Sequence, residues 1–371
     1  MHKIKVMTIF GTRPEAIKMA PIILELEKQK TAFESIVVAT AQHRQMLDQV
    51  MTAFDIQVDY DLDVMKSNQT LAEITSNVLT QLDRLMKEVK PDIVLVHGDT
   101  TTTLAATLAA FYNQIKIGHV EAGLRTWNKY SPFPEEINRQ LTDVMTDLYF
   151  APTVNSEENL RKERRDTKNI YVTGNTAIDA LKRTVSLETD QQIVVPNDSN
   201  NRIILLTMHR RENLGEPMEN VFTAIKEIVE QYPDVEVVYP VHLNPTIQTL
   251  AHEILGNHQR IHLIEPLDVI DFHHLIATSY MIMTDSGGIQ EEAPSLGIPV
   301  LVLRDTTERP EGVAAGTLKL IGTEKEAVKK IMIELLEDSK IYTRMSVAQN
   351  PYGDGEAAEK ILAIIKDFFY R

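Results

Sequence analysis

Three carboxylates stand directly after strand-like or stiffened segments. Asp99 follows Pro91-Asp92-Ile93-Val94-Leu95-Val96, Glu121 follows Lys116-Ile117-Gly118-His119-Val120, and Glu135 follows Tyr130-Ser131-Pro132-Phe133-Pro134. Acids gathered in one crevice repel one another, which raises at least one pKa and prepares a base near neutrality. Singly, each acid reads equally well as a solvated group or a helix cap. On neighbouring strand ends, they point to proton transfer.

The second half of the chain offers cations and small residues instead. His209-Arg210-Arg211 closes one apolar run, and His209 can contact a phosphate or give it a proton. Thr284-Asp285-Ser286-Gly287-Gly288 closes another, Tyr280–Met283. Ser286 suits a helix N-cap, and Gly287 and Gly288 let backbone approach a ligand. Free N–H groups at such a helix start attract an anion. Glu292, about two turns in, can receive a sugar hydroxyl pair. Near the start of the chain, Arg13 and Lys18 sit at another helix start, where the dipole disfavours cations and a bound anion would relieve the conflict. The expected arrangement is a diphosphate held by His209, Arg309, Arg13 and the Ser286 helix start, faced by carboxylates from another domain.

These residues must be positioned by an alternation of strands and helices. Apolar runs at 4–10, 35–40, 91–96 and 116–120 and short strands at 149–152 and 170–175 alternate with helical patterns such as Leu71–Glu88 and Thr103–Tyr112. The pattern restarts at 202–208, 235–241, 260–264, 280–283 and 299–303, and an amphipathic helix closes the chain. Such alternation implies parallel sheets with right-handed crossovers. At 371 residues the chain is too long for one ordinary core, so an α/β protein of two doubly wound sheets is expected, with a ligand cleft between them. Composition alone would place the linker in the polar stretch from Thr184 to Asn201.

A net charge of −15 argues against nucleic-acid or anionic-membrane partners, so a phosphate must meet a local basic pocket. The absence of cysteine excludes disulfides and thiolate chemistry and suits a reducing compartment. The opening Met1–Val6 enters a strand at once and no apolar run is long enough to span a bilayer; a cytoplasmic protein is expected. No metal is expected: His273 and His274 are adjacent and cannot chelate at helical spacing. No cofactor is expected either, since dinucleotide and Walker fingerprints are both missing.

Several blocks now act together: Gly11-Thr12-Arg13-Pro14-Glu15, His97-Gly98-Asp99-Thr100, Val120–Thr126, Pro134–Arg139, His209–Asn213, and Asp285–Glu292 on to Arg309. In order and over essentially the whole chain, they resemble the bacterial non-hydrolysing UDP-N-acetylglucosamine 2-epimerases. The resemblance implies a glycosyltransferase-B fold of two Rossmann-like domains with the site between them. Residues 1–170 and the returning helix 354–371 would form one domain and 171–353 the UDP-binding one. It implies reversible interconversion of UDP-GlcNAc and UDP-ManNAc in a homodimer. Asp99, Glu121, Glu135 and His209 match the catalytic positions. Arg13, Lys18, Phe272, Ser286, Gly287, Gly288, Glu292 and Arg309 fall at substrate-binding ones.

Some members bind a second UDP-GlcNAc as activator, and Gln42, Gln45, Arg210 and His242 match positions used there. Asn68 stands where the family usually carries Arg, so a weakened activating site is expected. The competing readings are a UDP-sugar glycosyltransferase on the same scaffold, a hydrolysing epimerase, and a non-catalytic nucleotide-sugar sensor.

Overall fold

The computed structural model describes residues 3–40, 44–64, 69–187 and 201–370. The chain divides into two compact units, Met1–Ala180 with Tyr352–Arg371, and Leu181–Pro351. Each is built on one parallel sheet. The first carries β1 (Ile4–Phe10), β2 (Phe33–Ala39), β3 (Tyr60–Asp61), β4 (Ile93–His97), β5 (Lys116–Val120), β6 (Leu148–Ala151) and β7 (Ile170–Val172), in the order β3-β2-β1-β4-β5-β6-β7. The second carries β8 (Arg202–Thr207), β9 (Val235–Pro240), β10 (Ile261–Ile264), β11 (Met281–Thr284), β12 (Val300–Val302) and β13 (Leu318–Leu320), in the order β10-β9-β8-β11-β12-β13.

Helices cover both faces of such sheets, so the central strands are buried throughout and read as unbroken apolar runs. β4 is IVLVH with every residue buried. Around the centre of the second sheet, Ile204, Leu206, Met281, Met283 and Leu301 pack with Val221, Phe222, Ile225 and Ile228 of the helix Glu216–Gln231. Helix starts follow local chemistry. Thr12 and Glu15 form a capping box at the helix Arg13–Lys28, with Pro14 in its first turn. Thr70 and Glu73 do the same for Leu71–Val89.

Strand order reverses between β1 and β4, and again between β8 and β11. Open α/β sheets bind ligands at the carboxyl ends of such strand pairs. The loops carrying Arg13 and Asp99 follow β1 and β4, and those carrying His209 and Ser286 follow β8 and β11.

The expected strands all form, most with ends shifted by a residue or two; the one expected over 170–175 stops at Val172, because Gly174 takes a positive φ and turns the chain. Two short strands, β3 and β13, were not expected, because two or three residues carry no readable periodicity. The division between units also differs from the boundary at 170/171. Tyr171 lies inside β7, which pairs with β6, so the first unit runs on into the helix Thr176–Val185. The polar stretch from Thr184 lies largely at 188–200, outside the described residues.

The closing helix, Ala357–Tyr370, belongs to the first unit and packs on Arg13–Lys28. Buried Asp179 caps its start, accepting from Ala358 N at 2.8 Å through Oδ1. Its Oδ2 is buried without a hydrogen bond. Burial pushes this carboxyl up to about 6, with the Ala358 and Ala357 N–H groups opposing.

Candidate active site

In the first unit, close approach of the β1 and β4 loops needs a glycine: a Cβ on Gly11 would collide with the hydroxyls of Thr40 and Thr102. Buried Glu15 ties the two loops together. Its Oε2 accepts from Gly11 N (3.0 Å) and Thr12 N (2.7 Å), and its Oε1 from Thr100 Oγ1 (2.6 Å) and Thr103 Oγ1 (3.1 Å). Thr100 in turn caps the helix Thr101–Tyr112. Asp99 is therefore held between Gly98, at φ +65°, and a helix N-cap.

A second brace lies beneath. His119 in β5 is fully buried, with Nε2 2.7 Å from Gly98 O and Nδ1 2.7 Å from Asp143 Oδ1. Asp143 also accepts from Arg125, which grips Glu163 with two nitrogens. Burial would raise the Asp143 carboxyl, but His119 and Arg125 outweigh it and hold it below the usual range.

The three sequence-predicted acids come together at this end of the sheet, in unlike states. Burial pushes the Asp99 carboxyl up; Arg139, at 3.4 Å, opposes this, while the negative charges of Glu121 and Glu135 add to it. Glu121, at φ +65°, has a carboxylate only 10% exposed. Its Oε2 accepts from Lys18 Nζ (2.5 Å) and Asn175 Nδ2 (3.0 Å), with His97 Nε2 3.5 Å away. Burial alone would raise Glu121, yet Lys18 first and then His97 hold it well below the usual carboxylate range. Glu135 opens the helix Glu135–Met145, and its Oε2 is buried without a hydrogen-bond partner. The adjacent Glu136 is wholly buried and structural, accepting from Thr126 N and Trp127 N.

Lys18 is thus neutralised by a carboxylate 103 residues away, which relieves the helix-start conflict without a ligand. Half-buried Arg13 has no such carboxylate among the described residues.

In the second unit, Asp285 is the hidden centre. It has no solvent exposure, and Oδ2 accepts from His209 N (2.9 Å), Arg210 N (2.8 Å) and Asn213 Nδ2 (3.0 Å). His209 Nδ1 lies 3.2 Å from Oδ1, and the ring stacks on His242 at 5.7 Å. Burial lowers the His209 pKa; Asp285 opposes this, and His242 and Arg210 add to it. Gly287 lies under two guanidiniums: a Cβ there would stand 3.7 Å from Arg309 Cζ and 4.0 Å from Arg210 Nη2. Arg309 is pinned from behind by buried Glu291.

Ser286 takes the N-cap position without a capping hydrogen bond from its side chain. The helix it opens, Gly287–Glu292, has only six residues, so the guanidiniums rather than a long dipole make this loop anion-seeking. Glu292 Oε1 overhangs Gly288, 3.9 Å from where a Cβ would be. Phe272 is half-buried on the helix Val269–Thr278. Its neighbours His273 and His274 bond to Thr184 Oγ1 and Leu187 O respectively, and no group of metal-ligating residues occurs among the described residues.

Of the expected activator contacts, Arg210 and His242 flank His209, Gln45 lies on the helix Arg44–Phe54, and Gln42 and Asn68 lie outside the described residues. Sequence reasoning passed over Glu15, His97, Asn175 and Asp285. Two of these carried a local signal: Glu15, three residues after Thr12 at a helix start, and Asp285, an acid between a strand and a glycine pair.

A family model described as UDP-N-acetylglucosamine 2-epimerase matches residues 25–366. The chain is 63% identical over 362 residues to the Bacillus subtilis UDP-N-acetylglucosamine 2-epimerase, covering 98% of this chain and 95% of that protein. A Listeria monocytogenes crystal structure at 61% identity superposes with a TM-score of 0.95, covering 100% of this chain and 97% of the other. UDP-GlcNAc 2-epimerase from Neisseria meningitidis, solved bound to UDP-GlcNAc, is 50% identical with a TM-score of 0.88, covering 98% and 100% respectively.

Proposed function

The chain belongs to the UDP-N-acetylglucosamine 2-epimerase family and has its glycosyltransferase-B type of fold, and from that premise we propose how its residues act. The substrate is UDP-GlcNAc, interconverted with UDP-ManNAc without net hydrolysis. The C2 proton of the sugar is not next to a carbonyl, so removing it alone is prohibitive. Loss of the C1 substituent makes it feasible. A carboxylate takes the C2 proton as the C1–O bond breaks and UDP departs, leaving 2-acetamidoglucal. Protonation at C2 from the other face and return of UDP to C1 give the epimer.

The observation that carries this reading is the unlike state of neighbouring acids. Burial raises the Asp99 carboxyl, while Lys18, 2.5 Å from Glu121, holds that acid ionised, so one group is prepared to exchange a proton and another holds negative charge beside it. Glu135 is the second candidate for the proton on the opposite face. In the second unit His209, Arg309 and the loop Ser286–Gly288 receive the diphosphate, whose growing charge favours cationic donors. Lys18 serves by keeping Glu121 ionised, Phe272 packs against the nucleoside, and Glu292 takes a hydroxyl pair. A second UDP-GlcNAc near Arg210 and His242 acts as a weak activator.

The protein works in the cytoplasm and supplies ManNAc for a cell-surface polysaccharide. Among the described residues, no helix is long and apolar enough to cross a membrane. It acts as a homodimer. In the first unit Phe111 and Tyr112, at the end of one helix, and Leu141 and Val144, on the next, are all exposed, an apolar surface suited to a second copy.

The pure protein incubated with UDP-GlcNAc in heavy water tests the reading. The expected NMR result is UDP-ManNAc with deuterium at C2 of both epimers. Epimer that keeps its original hydrogen sinks the mechanism; free ManNAc with UDP points to hydrolysis, and no change without an added acceptor points to a transferase.

A further inference from the structure

We propose that Asp285 is a positioning residue for His209: its Oδ1 holds the imidazole proton on Nδ1 and so leaves Nε2 to meet the ligand phosphate. The phosphate in that statement rests on the epimerase reading; the tautomer does not. Asp285 lies at the end of β11 and His209 at the end of β8, strands that pair directly. The hydroxyls of Thr207 and Thr284, 2.6 Å apart, bring the two strand ends together.

One carboxylate controls both backbone and ring of His209. Oδ2 is filled by three donors, two of them the backbone N–H groups of His209 and Arg210. Oδ1 is buried and has no well-directed hydrogen bond, and His209 Nδ1 lies 3.2 Å from it. A buried carboxylate oxygen without a donor is costly, so the favoured imidazole places its proton on Nδ1. Nε2 has no partner among the described residues, and the His209 side chain is 41% exposed.

The surroundings explain what this arrangement does. The titratable and charged groups around His209 are Asp285, His242 and Arg210, with Arg309 beside Arg210 over Gly287 and the buried Tyr239 hydroxyl donating to Met208 O. Without a ligand, burial and the neighbouring cations favour the neutral ring. A diphosphate at Nε2 reverses that balance, because Nε2 can then bind a proton from water while Asp285 balances the new charge from the other side. The imidazolium so formed donates to the phosphate oxygen as the C1–O bond breaks.

Nitrogen-15 NMR of the imidazoles in the intact protein, with His209→Asn assigning the resonance, tests this without disturbing Asp285. The expected result is the Nδ1–H tautomer in the free protein and protons on both nitrogens once UDP is added at pH 7. A free protein dominated by the Nε2–H tautomer overturns the proposal, as does a ring that stays neutral with UDP bound. Asp285→Asn adds a functional readout. Where it folds, kcat should fall about tenfold to hundredfold, with UDP affinity changed much less and the Nδ1–H preference lost. An unchanged kcat or an unchanged tautomer contradicts the proposal. If it does not fold, the wild-type spectra still decide. Deuterium exchange at C2 reports separately on the epimerase reading, so either claim can fail alone.

Discussion

At the switch point of the first sheet, charges compensate one another inside the protein. Lys18 is spent on Glu121 and Arg139 approaches Asp99, and what is left is one carboxyl raised by burial. At the switch point of the second, two guanidiniums and two imidazoles gather in front of two buried carboxylates, Asp285 and Glu291. The same architecture, strands ending in short loops at a reversal of strand order, thus carries opposite chemistry. One end is arranged to tune protons, the other to attract an anion. The difference lies in how far a charge's partner is buried behind it. Lys18 and Glu121 meet within one buried pair, whereas Asp285 holds His209 and Arg210 by their backbone N–H groups.

The contrast breaks most visibly at Asp99. Asp99→Asn should lower turnover by about 10³-fold or more, because a positioned acid–base group is lost, while UDP binding measured by calorimetry stays within a few fold. His209→Ala should lower turnover by about 10²–10³ and weaken UDP binding as well. If the two variants lose binding and turnover in the same proportion, the division of labour between the two ends is wrong.

A smaller effect sharpens the comparison at Lys18. Lys18→Met leaves Glu121 buried without its chief cation, so its carboxyl must rise. Glu121 is ionised above its pKa and the proposed mechanism uses that form, so the acid limb of the kcat–pH profile should move to higher pH. A limb that does not move would separate Glu121 from catalysis.

The smallest expected effect lies away from both ends, in the helix cap at Asp179. Its folded pKa of about 6 exceeds the unfolded 3.8, so the native state binds more protons between these values and stability falls as pH rises through that window. The loss is about 3 kcal/mol at most. Asp179→Asn, which resembles the neutral carboxyl, should flatten the dependence of Tm on pH between about 4 and 6. An unchanged slope refutes the assignment.

Much of this was legible in the chain because strands, helix starts and glycine turns depend on neighbours in sequence. Runs such as Ile93–Val96 are buried on both faces and so are apolar throughout, and Thr12 with Glu15 signals a capping box within four residues. The loops bearing Asp99, Glu121, His209 and Ser286 could be placed on that basis alone, as could the α/β class. Short edge strands such as Leu318–Leu320 and the extent of the first unit past Tyr171 could not, since pairing with a neighbouring strand defines them.

Sequence by itself determined which residue types reach the carboxyl ends of the strands, because that follows from local periodicity and turn chemistry. Only tertiary structure decided their states. Lys18 meets Glu121, Asn175 reaches the same oxygen, and Asp285 backs His209 across 76 residues. Protonation depends on burial and on charges a few ångströms away in space, and chain order does not encode those distances.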